Sequence, residues 1–417
     1  MSHINAPKRF WNTANSSDEE GSQTSEDGPW PAPAKDMEAA RTFLKECALK
    51  HERTLILPDK DADGLCASLI IYRTLVLLGL PPTLFFIHFV VKGSNIHNED
   101  ERERMQAYGA KYVIAVDQGS RGGAPLVGKP GEFSGEHLHP PVASRLQLQV
   151  LWHMYCADLC IRINMKWVEP WPAEDMKTCV KTYTKQVLSD VVRLVNAPRR
   201  TASYDVSAAW QALLYTTNPR TITAALTNST PSYIRRLYHA QGEVKAETDR
   251  WTHSAPKFSG DGRIALIRIS SSAQIHPLIA TRWANTLKSS KLEIVMCAND
   301  TYLPGSMTNF SCRVARCASA RSGGNAVDII DTLKEYASRV SGLREGMGDN
   351  FARGHKEASG GIVRTDDFER LWGVMLESQP AQGQGESPKR KKRKSDAQQQ
   401  SNTLEGWIKK GVETSPP

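Results

Sequence analysis

The sequence has 417 residues, 40% of them hydrophobic, enough for one large or two ordinary cores, and two domains are expected. No segment approaches the roughly 20 uninterrupted apolar residues of a membrane span. The opening MSHINAPKRFWN lacks the apolar region of a signal peptide, so composition argues for a soluble intracellular protein rather than a membrane or secreted one. A formal charge of +8 and a pI near 9.0 favour an anionic partner.

Residues 1–35 are rich in Ser, Asp, Glu, Gly and Pro, show no periodic apolar face and read as a disordered tail. SSDEE and SQTSED within it have the pattern of acidic-directed phosphorylation sites. A helix is expected over 37–49. The stretch 54–78, TLILPDKDADGLCASLIIYRTLVLL, then reads as a buried strand ending near Pro58 and a helix after Gly64. Asp59, Asp61 and Asp63 are crowded into the turn between them. Alternate residues of an extended segment share a side, so all three carboxylates can aim at one point, where a cation would relieve their repulsion. Hard oxygen ligands suit Mg²⁺ or Mn²⁺. An EF-hand is excluded, because the twelfth position counted from Asp59 is Ile70 and not the bidentate Glu that loop needs. A solvated acidic turn is the plain alternative.

Further strands are expected over 83–91 and 112–116, with a charged helix over 99–109 between them. The order β-α-β-α-β predicts a parallel sheet whose strand ends share one edge, so Asp117 would face the acidic turn. From the residues alone, Asp117 reads equally well as a turn cap in Asp-Gln-Gly-Ser.

D-K-D-A-D-G on a strand-to-helix turn, followed by a strand ending in Val-Asp-Gln-Gly, resembles the first motifs of the DHH phosphoesterase superfamily, which includes the RecJ nucleases. The resemblance implies that Asp59, Asp61, Asp63 and Asp117 bind a pair of Mn²⁺ or Mg²⁺ ions, with Asp61, Asp63 and Asp117 at the catalytic centre. The Asp-His-His that names the family is missing. Residues 119–141 contain His137 and His139 beside two prolines, and no apolar strand. The implied reading is either a lost segment or a decayed active site. Asp158, in Cys156-Ala-Asp-Leu, stands where the family carries a fourth metal-binding aspartate, and reads otherwise as a surface Asp.

A helix is expected over 175–195. Arg199 and Arg200 follow it, where two adjacent guanidinium groups hold a phosphate or simply form a basic loop. Helices are expected over 207–214 and 231–251. From Gly262 the pattern turns to strands, over 264–269, 292–297 and 309–314, with helices over 276–287 and 326–340. The eight cysteines, Cys156/Cys160 and Cys312/Cys317 among them, complete no zinc spacing and read as reduced thiols.

Gly354-His-Lys-Glu-Ala-Ser-Gly-Gly361 resembles the signature of the DHHA1 domain that accompanies the DHH domain, with Arg353 in place of a first glycine. The residues themselves describe a phosphate clamp. Gly354, Gly360 and Gly361 allow close backbone approach, His355 and Lys356 supply charge and donors, and Ser359 lies between them. The resemblance adds Ser311 and Arg313 as phosphate contacts. It implies an α/β protein of two lobes, a doubly wound parallel-sheet DHH-like domain (36–200) and a smaller α/β DHHA1-like domain (259–376), joined by a helical connector (201–258).

The tail, 377–417, carries a six-residue cationic block running from Lys389 to Lys394, which reads as a signal for a nuclear import receptor, and hence a nuclear location. Leu404, Trp407 and Ile408 form a short apolar face similar to peptides that dock on the sliding clamp. The expected function is metal-dependent hydrolysis of phosphodiester bonds in single-stranded nucleic acid. Two alternatives stand beside it: a pseudoenzyme that scaffolds nucleic acid or the replisome, and a small-dinucleotide phosphodiesterase.

Overall fold

The computed structural model describes residues 34–117, 173–321, 327–348 and 350–377. His137, His139, Asp158, Cys156, Cys160 and both tails beyond these limits lie outside the described residues.

The first lobe begins with α1 (Ala34–Lys50), β1 (Thr54–Pro58) and α2 (Ala62–Leu77), followed by β2 (Phe85–Ile87), α3 (Glu99–Gln106) and β3 (Tyr112–Val116). The strands form a parallel sheet in the order β2-β1-β3. Central β1 is buried along its whole length. Its alternating side chains feed two cores: Leu55 and Leu57 pack toward Met105 of α3, and Ile56 packs toward Cys47 of α1 and Ala67, Ile71 and Leu75 of α2. β2 is shorter than the 83–91 expected, because Pro81 and Pro82 set a 3₁₀ turn over Pro82–Leu84. After Ile87 the chain makes one more bond to β1, from the His88 N–H to the Ile56 carbonyl, and leaves the sheet as a loop.

In place of one helix over 175–195 there are two, α4 (Ala173–Tyr183) and α5 (Lys185–Asn196). Thr184 breaks them with φ of +66°, and its hydroxyl caps α5 by accepting from the Val187 N–H at 3.4 Å. α6 (Val206–Tyr215), α7 (Pro219–Thr223) and α8 (Ser232–Trp251) complete the helical segment. Leu65 and Leu69 of α2 meet Val191 and Val195 of α5, Leu213 of α6 and Leu237 of α8 in one core. Further along α8, Val244 joins a core of the second lobe. This 20-residue helix, about 30 Å long, is therefore a strut shared by both lobes.

The second lobe is a six-stranded mixed sheet in the order β4-β5-β6-β7-β9-β8. It is built from β4 (Lys257–Phe258), β5 (Ile264–Ile269), α9 (His276–Thr286), β6 (Ile294–Asn299), β7 (Met307–Val314), α10 (Arg316–Arg321), α11 (Ile329–Ser338), α12 (Leu343–Gly346), β8 (Arg353–His355), β9 (Ala358–Arg364) and α13 (Thr365–Leu376). One face packs Phe310 and Cys312 under α11 and α13, and the other packs Val295 and Cys297 under α9. Cys47, Cys66, Cys179, Cys297 and Cys312 are buried. No helix among the described residues is long and apolar enough to cross a membrane.

Candidate metal centre and interlobe cavity

The acidic centre is assembled by the parallel pairing of β1 and β3. Pro58 is in register with Val116, and the Asp59 N–H continues the ladder by donating to the Val116 carbonyl at 2.9 Å, so both strands release their turns at the same edge. Asp61 is the N-cap of α2, with its carboxylate accepting from the Gly64 N–H at 3.3 Å, and Asp63 lies in the first turn, where the helix field favours negative charge. Gly64 is required by contact: a Cβ there would lie 2.7 Å from the Asp59 carbonyl oxygen. Asp117 leaves β3 in the left-handed region, with φ of +60°, which Asp tolerates better than most residues.

Carboxylate oxygens of Asp61, Asp63 and Asp117 lie within 4.8 Å of one another. Asp59 flanks this group rather than joining it. Burial, then the charges of Asp61 and Asp59, push the Asp117 carboxyl up to about 7. Asp59 is also raised, by burial and by Asp61. Burial opposes ionisation of Asp61 too, but the Arg199 guanidinium, its hydrogen bond with Asp63 and the Gly64 N–H together hold its carboxyl below the usual range. Three carboxylates crowded at one half-buried edge repel one another unless a cation lies between them. Three hard oxygen donors aimed at one point fit a Mg²⁺- or Mn²⁺-sized ion whose remaining positions are filled by water or substrate.

Arg199 carries the opposite charge to this edge, with its guanidinium 3.9 Å from Asp61 and Nε donating to Asn196 Oδ1 at 3.0 Å. The same Asn196 oxygen accepts from the Ala62 N–H at 3.2 Å, tying the end of α5 to the start of α2. Arg200 faces the other way. Its carbonyl accepts from the Gln274 N–H at 2.7 Å and its guanidinium donates to the Gln274 carbonyl at 3.3 Å, joining the first lobe to the loop before α9. Burial, with Arg199 and Arg313 nearby, brings the Arg200 guanidinium down to about 9.

Gln274 borders a cavity of about 420 Å³ that takes Gly93, Ser94 and Asn95 from the first lobe and most of its wall from the second. Asn309, Ser311 and Arg313 line it together because alternate residues of β7 share a face; Phe310 also borders it, and Phe310 and Cys312 belong to the core. Arg313 donates to Ser311 Oγ and to the Cys312 carbonyl, both at 2.8 Å. Arg353 also lines the cavity, and none of the described lining residues is a carboxylate. His276, at the first turn of α9, is 2% exposed, and burial with the adjacent Arg200 and Arg313 holds its imidazole down at about 3, neutral.

The glycine-rich stretch is a β-hairpin rather than an open loop. Gly360 and Gly361 lie on β9, where a Cβ would come within 2.4 Å of the Phe310 carbonyl oxygen and 2.6 Å of the Asn350 carbonyl oxygen respectively. Sheet packing thus requires these glycines, and they line the cavity together with Ser359. Gly354 has φ of +114° and a Cβ would meet the Ala358 carbonyl oxygen at 2.5 Å. His355 and Lys356 do not line the cavity. They sit exposed toward the hairpin tip, where the Lys356 ammonium lies 3.8 Å from Asp328, the N-cap of α11.

Of the sequence-derived residues, Asp61, Asp63 and Asp117 are gathered at the first edge, Arg199 and Arg200 bridge, and Ser311, Arg313, Ser359, Gly360 and Gly361 meet at the cavity. Sequence reasoning missed Asn309, His276 and the cavity position of Arg353. The alternation in Asn-Phe-Ser-Cys-Arg was signal enough for Asn309, whereas nothing local marks His276.

No model of a known protein family matches the sequence, and no curated protein matches it. Among solved structures, the chain is similar to RecJ of Thermus thermophilus in complex with Mn²⁺, at 17% identity over 84% of this chain and 55% of that one, with a TM-score of 0.44. It is similar to the same protein with Mg²⁺ at 14% identity, 84% and 53% coverage and a TM-score of 0.47. The match thus spans about half the length of those RecJ chains. It is also similar to the DHH domain of a member of a ribosomal-protein family, at 11% identity over 82% of this chain and 89% of that one, with a TM-score of 0.50. This last likeness extends over nearly the whole of the other domain, and the chain has the fold of that DHH domain.

Proposed function

We propose that this chain is a metal-dependent phosphodiesterase of the RecJ-like kind, acting on single-stranded nucleic acid. The observation that carries the reading is the juxtaposition of three clustered carboxylates with a carboxylate-free, arginine-lined cavity, bridged by Arg199 and Arg200. Asp61, Asp63 and Asp117 would hold one ion, and a second would draw on Asp59 and on residues outside those described, such as Asp158. A bound ion supplies Lewis-acid charge neutralisation at a phosphodiester. Arg199 lies beside Asp61, placed to hold a phosphate against the acidic edge. Arg313 and Arg353 offer guanidinium donors to a neighbouring phosphate. The charge of +8, and a nuclear location directed by the basic block ending at Lys394, favour a nucleic acid over a small dinucleotide.

The scaffold reading is favoured by one specific observation: the sequence between 118 and 172 contains no Asp-His-His. On either reading we propose a nuclear protein, with Leu404, Trp407 and Ile408 as a contact for a sliding clamp. The experiment is incubation of the full chain with single-stranded DNA and RNA oligonucleotides and with linear dinucleotides in Mn²⁺. We expect shortening of the oligonucleotides that is lost in Asp61→Ala/Asp63→Ala. Binding without shortening would decide for the scaffold, and cleavage confined to dinucleotides for the third reading.

A further inference from the structure

Glu101, in the first turn of α3, is a carboxylate with no exposed surface, and it belongs neither to the acidic edge nor to the cavity lining. Its Oε1 meets His88 Nε2 at 2.7 Å and accepts from the Val91 N–H at 3.3 Å, while Oε2 accepts from Arg104 Nη2 at 2.6 Å. Burial opposes its ionisation, but hydrogen bonds from Arg104, His88, the Ser94 hydroxyl and the Val91 N–H outweigh it and hold the carboxyl below the usual range. Three of those four partners, His88, Val91 and Ser94, belong to the loop that follows β2.

The same loop is the first-lobe wall of the cavity, through Gly93, Ser94 and Asn95. Val90 and Ile96 sink into the core of Leu55, Leu57 and Met105 and fix its two ends, which leaves residues 91–95 to be placed by other contacts. On one side Glu101 holds the Val91 N–H and Ser94. On the other, the Lys92 ammonium donates to the Ser272 carbonyl at 3.3 Å and lies 4.2 Å over the Tyr302 ring of the second lobe. Gly93, with φ of +81°, passes so near that lobe that a Cβ would lie 2.8 Å from Leu303 Cδ2. A segment gripped on both sides takes its position from both grips, so a carboxylate outside the cavity governs the placement of the groups that line it.

We propose that Glu101 is a positioning residue for the nucleic-acid strand: it touches no substrate, and through the Val91 N–H and Ser94 it sets where residues 93–95 stand against the cavity wall built by β7 and β9. The inference rests on the reading above that the cavity takes nucleic acid. Pairing with Arg104 and His88 alone would join α3 to the end of β2. The bonds to Val91 and Ser94 are what carry the grip of the carboxylate to the cavity.

Glu101→Gln keeps the size, removes the charge and turns one acceptor into an amide that cannot accept from its present partners. Lys92→Met releases the loop from the second lobe instead. The probe is a 5′-phosphorylated twelve-nucleotide oligothymidylate in Ca²⁺, with affinity read by fluorescence anisotropy. Mn²⁺ affinity is read by calorimetry and amide hydrogen exchange over residues 88–98 by mass spectrometry, all on the full chain. We expect Glu101→Gln to lower oligonucleotide affinity about tenfold, within the range of residues that act through a shared segment. Exchange over 88–98 should quicken while Mn²⁺ affinity stays unchanged. The double variant should lose clearly less than the two single losses multiplied together, because either change frees the same loop. Should Glu101→Gln not fold, Ser94→Ala cuts the tie from the loop side, and it must both quicken exchange over 88–98 in the free chain and weaken binding. Unchanged oligonucleotide affinity, unchanged exchange, or fully independent losses in the double variant would overturn the proposal. Loss of Mn²⁺ together with the oligonucleotide would overturn it too, by making Glu101 a support of the whole lobe. A wild-type chain that fails to bind the probe would overturn the functional reading, and the positioning role with it.

Discussion

Asp117 presents a carboxyl that burial and two neighbouring aspartates push up to about 7, from an ordinary value of 3.8. Below pH 4 it is protonated whether the chain is folded or not and costs nothing. Between pH 4 and 7 the folded state holds a proton that the unfolded state has released, so stability is lost as pH rises through this window and the deficit is constant above it. Asp117→Asn should therefore unfold at a higher denaturant concentration than wild type at pH 8 without metal, by up to about 4 kcal/mol, and the difference should close toward pH 4. Equal stability at both values would mean that Asp117 does not feel the cluster. A divalent cation should reverse the comparison, because it binds the ionised form and stabilises only the wild type. At the other edge, Arg313 and Arg353 line the cavity while His355 and Lys356 do not. Arg313→Ala with Arg353→Ala should weaken oligonucleotide binding in Ca²⁺ and flatten its salt dependence. His355→Ala with Lys356→Ala should change either much less.

The β8–β9 hairpin shows what glycine does at the scale of an element. Gly360→Ala places a Cβ 2.4 Å from the Phe310 carbonyl oxygen, so the sheet must spread or the strand shift. We expect a loss of about 1–3 kcal/mol in denaturant unfolding. Gly373, inside α13, has nothing within 4 Å of the place a Cβ would take, and Gly373→Ala should stabilise by about 0.5–1 kcal/mol. An equal response at both positions would contradict the packing described for β9. The same hairpin marks where sequence reasoning reaches its limit. Regular elements are legible because their signals are local: TLILP and YVIAV are apolar runs closed by turn residues, and IALIRI occupies Ile264–Ile269 as expected. The acidic edge is legible too, since parallel pairing forces Asp59 and Asp117 to the same end of the sheet. The hairpin is not legible in the sequence because clustered glycines are the shared signature of phosphate loops and of close strand approach, and only the neighbouring Phe310 of β7 and Asn350 before β8 distinguish them. His276 owes its place in the cavity wall to contacts between distant segments, which no window of sequence displays.

At the scale of the molecule, α8 fixes the lobes as a shared strut, and short contacts close the space between them. Arg200 is bonded to Gln274, and Lys92 of the loop after β2 donates to the Ser272 carbonyl at 3.3 Å while lying 4.2 Å over the Tyr302 ring. The arginine pair thus links the two features, with Arg199 beside Asp61 of the acidic edge and Arg200 bonded to Gln274 of the cavity wall. The basic block of residues 389–394 is proposed to act separately, in targeting. Its replacement by alanine should move a fluorescent fusion out of the nucleus without altering Mn²⁺ affinity, and persistent nuclear accumulation would assign the block another task. The central claim is that Asp61, Asp63 and Asp117 form a divalent-metal site, and calorimetric titration of Mn²⁺ into the full chain tests it most directly. Wild type should bind and Asp61→Ala/Asp63→Ala, folded by circular dichroism, should not; unchanged Mn²⁺ affinity in that folded variant would contradict the claim.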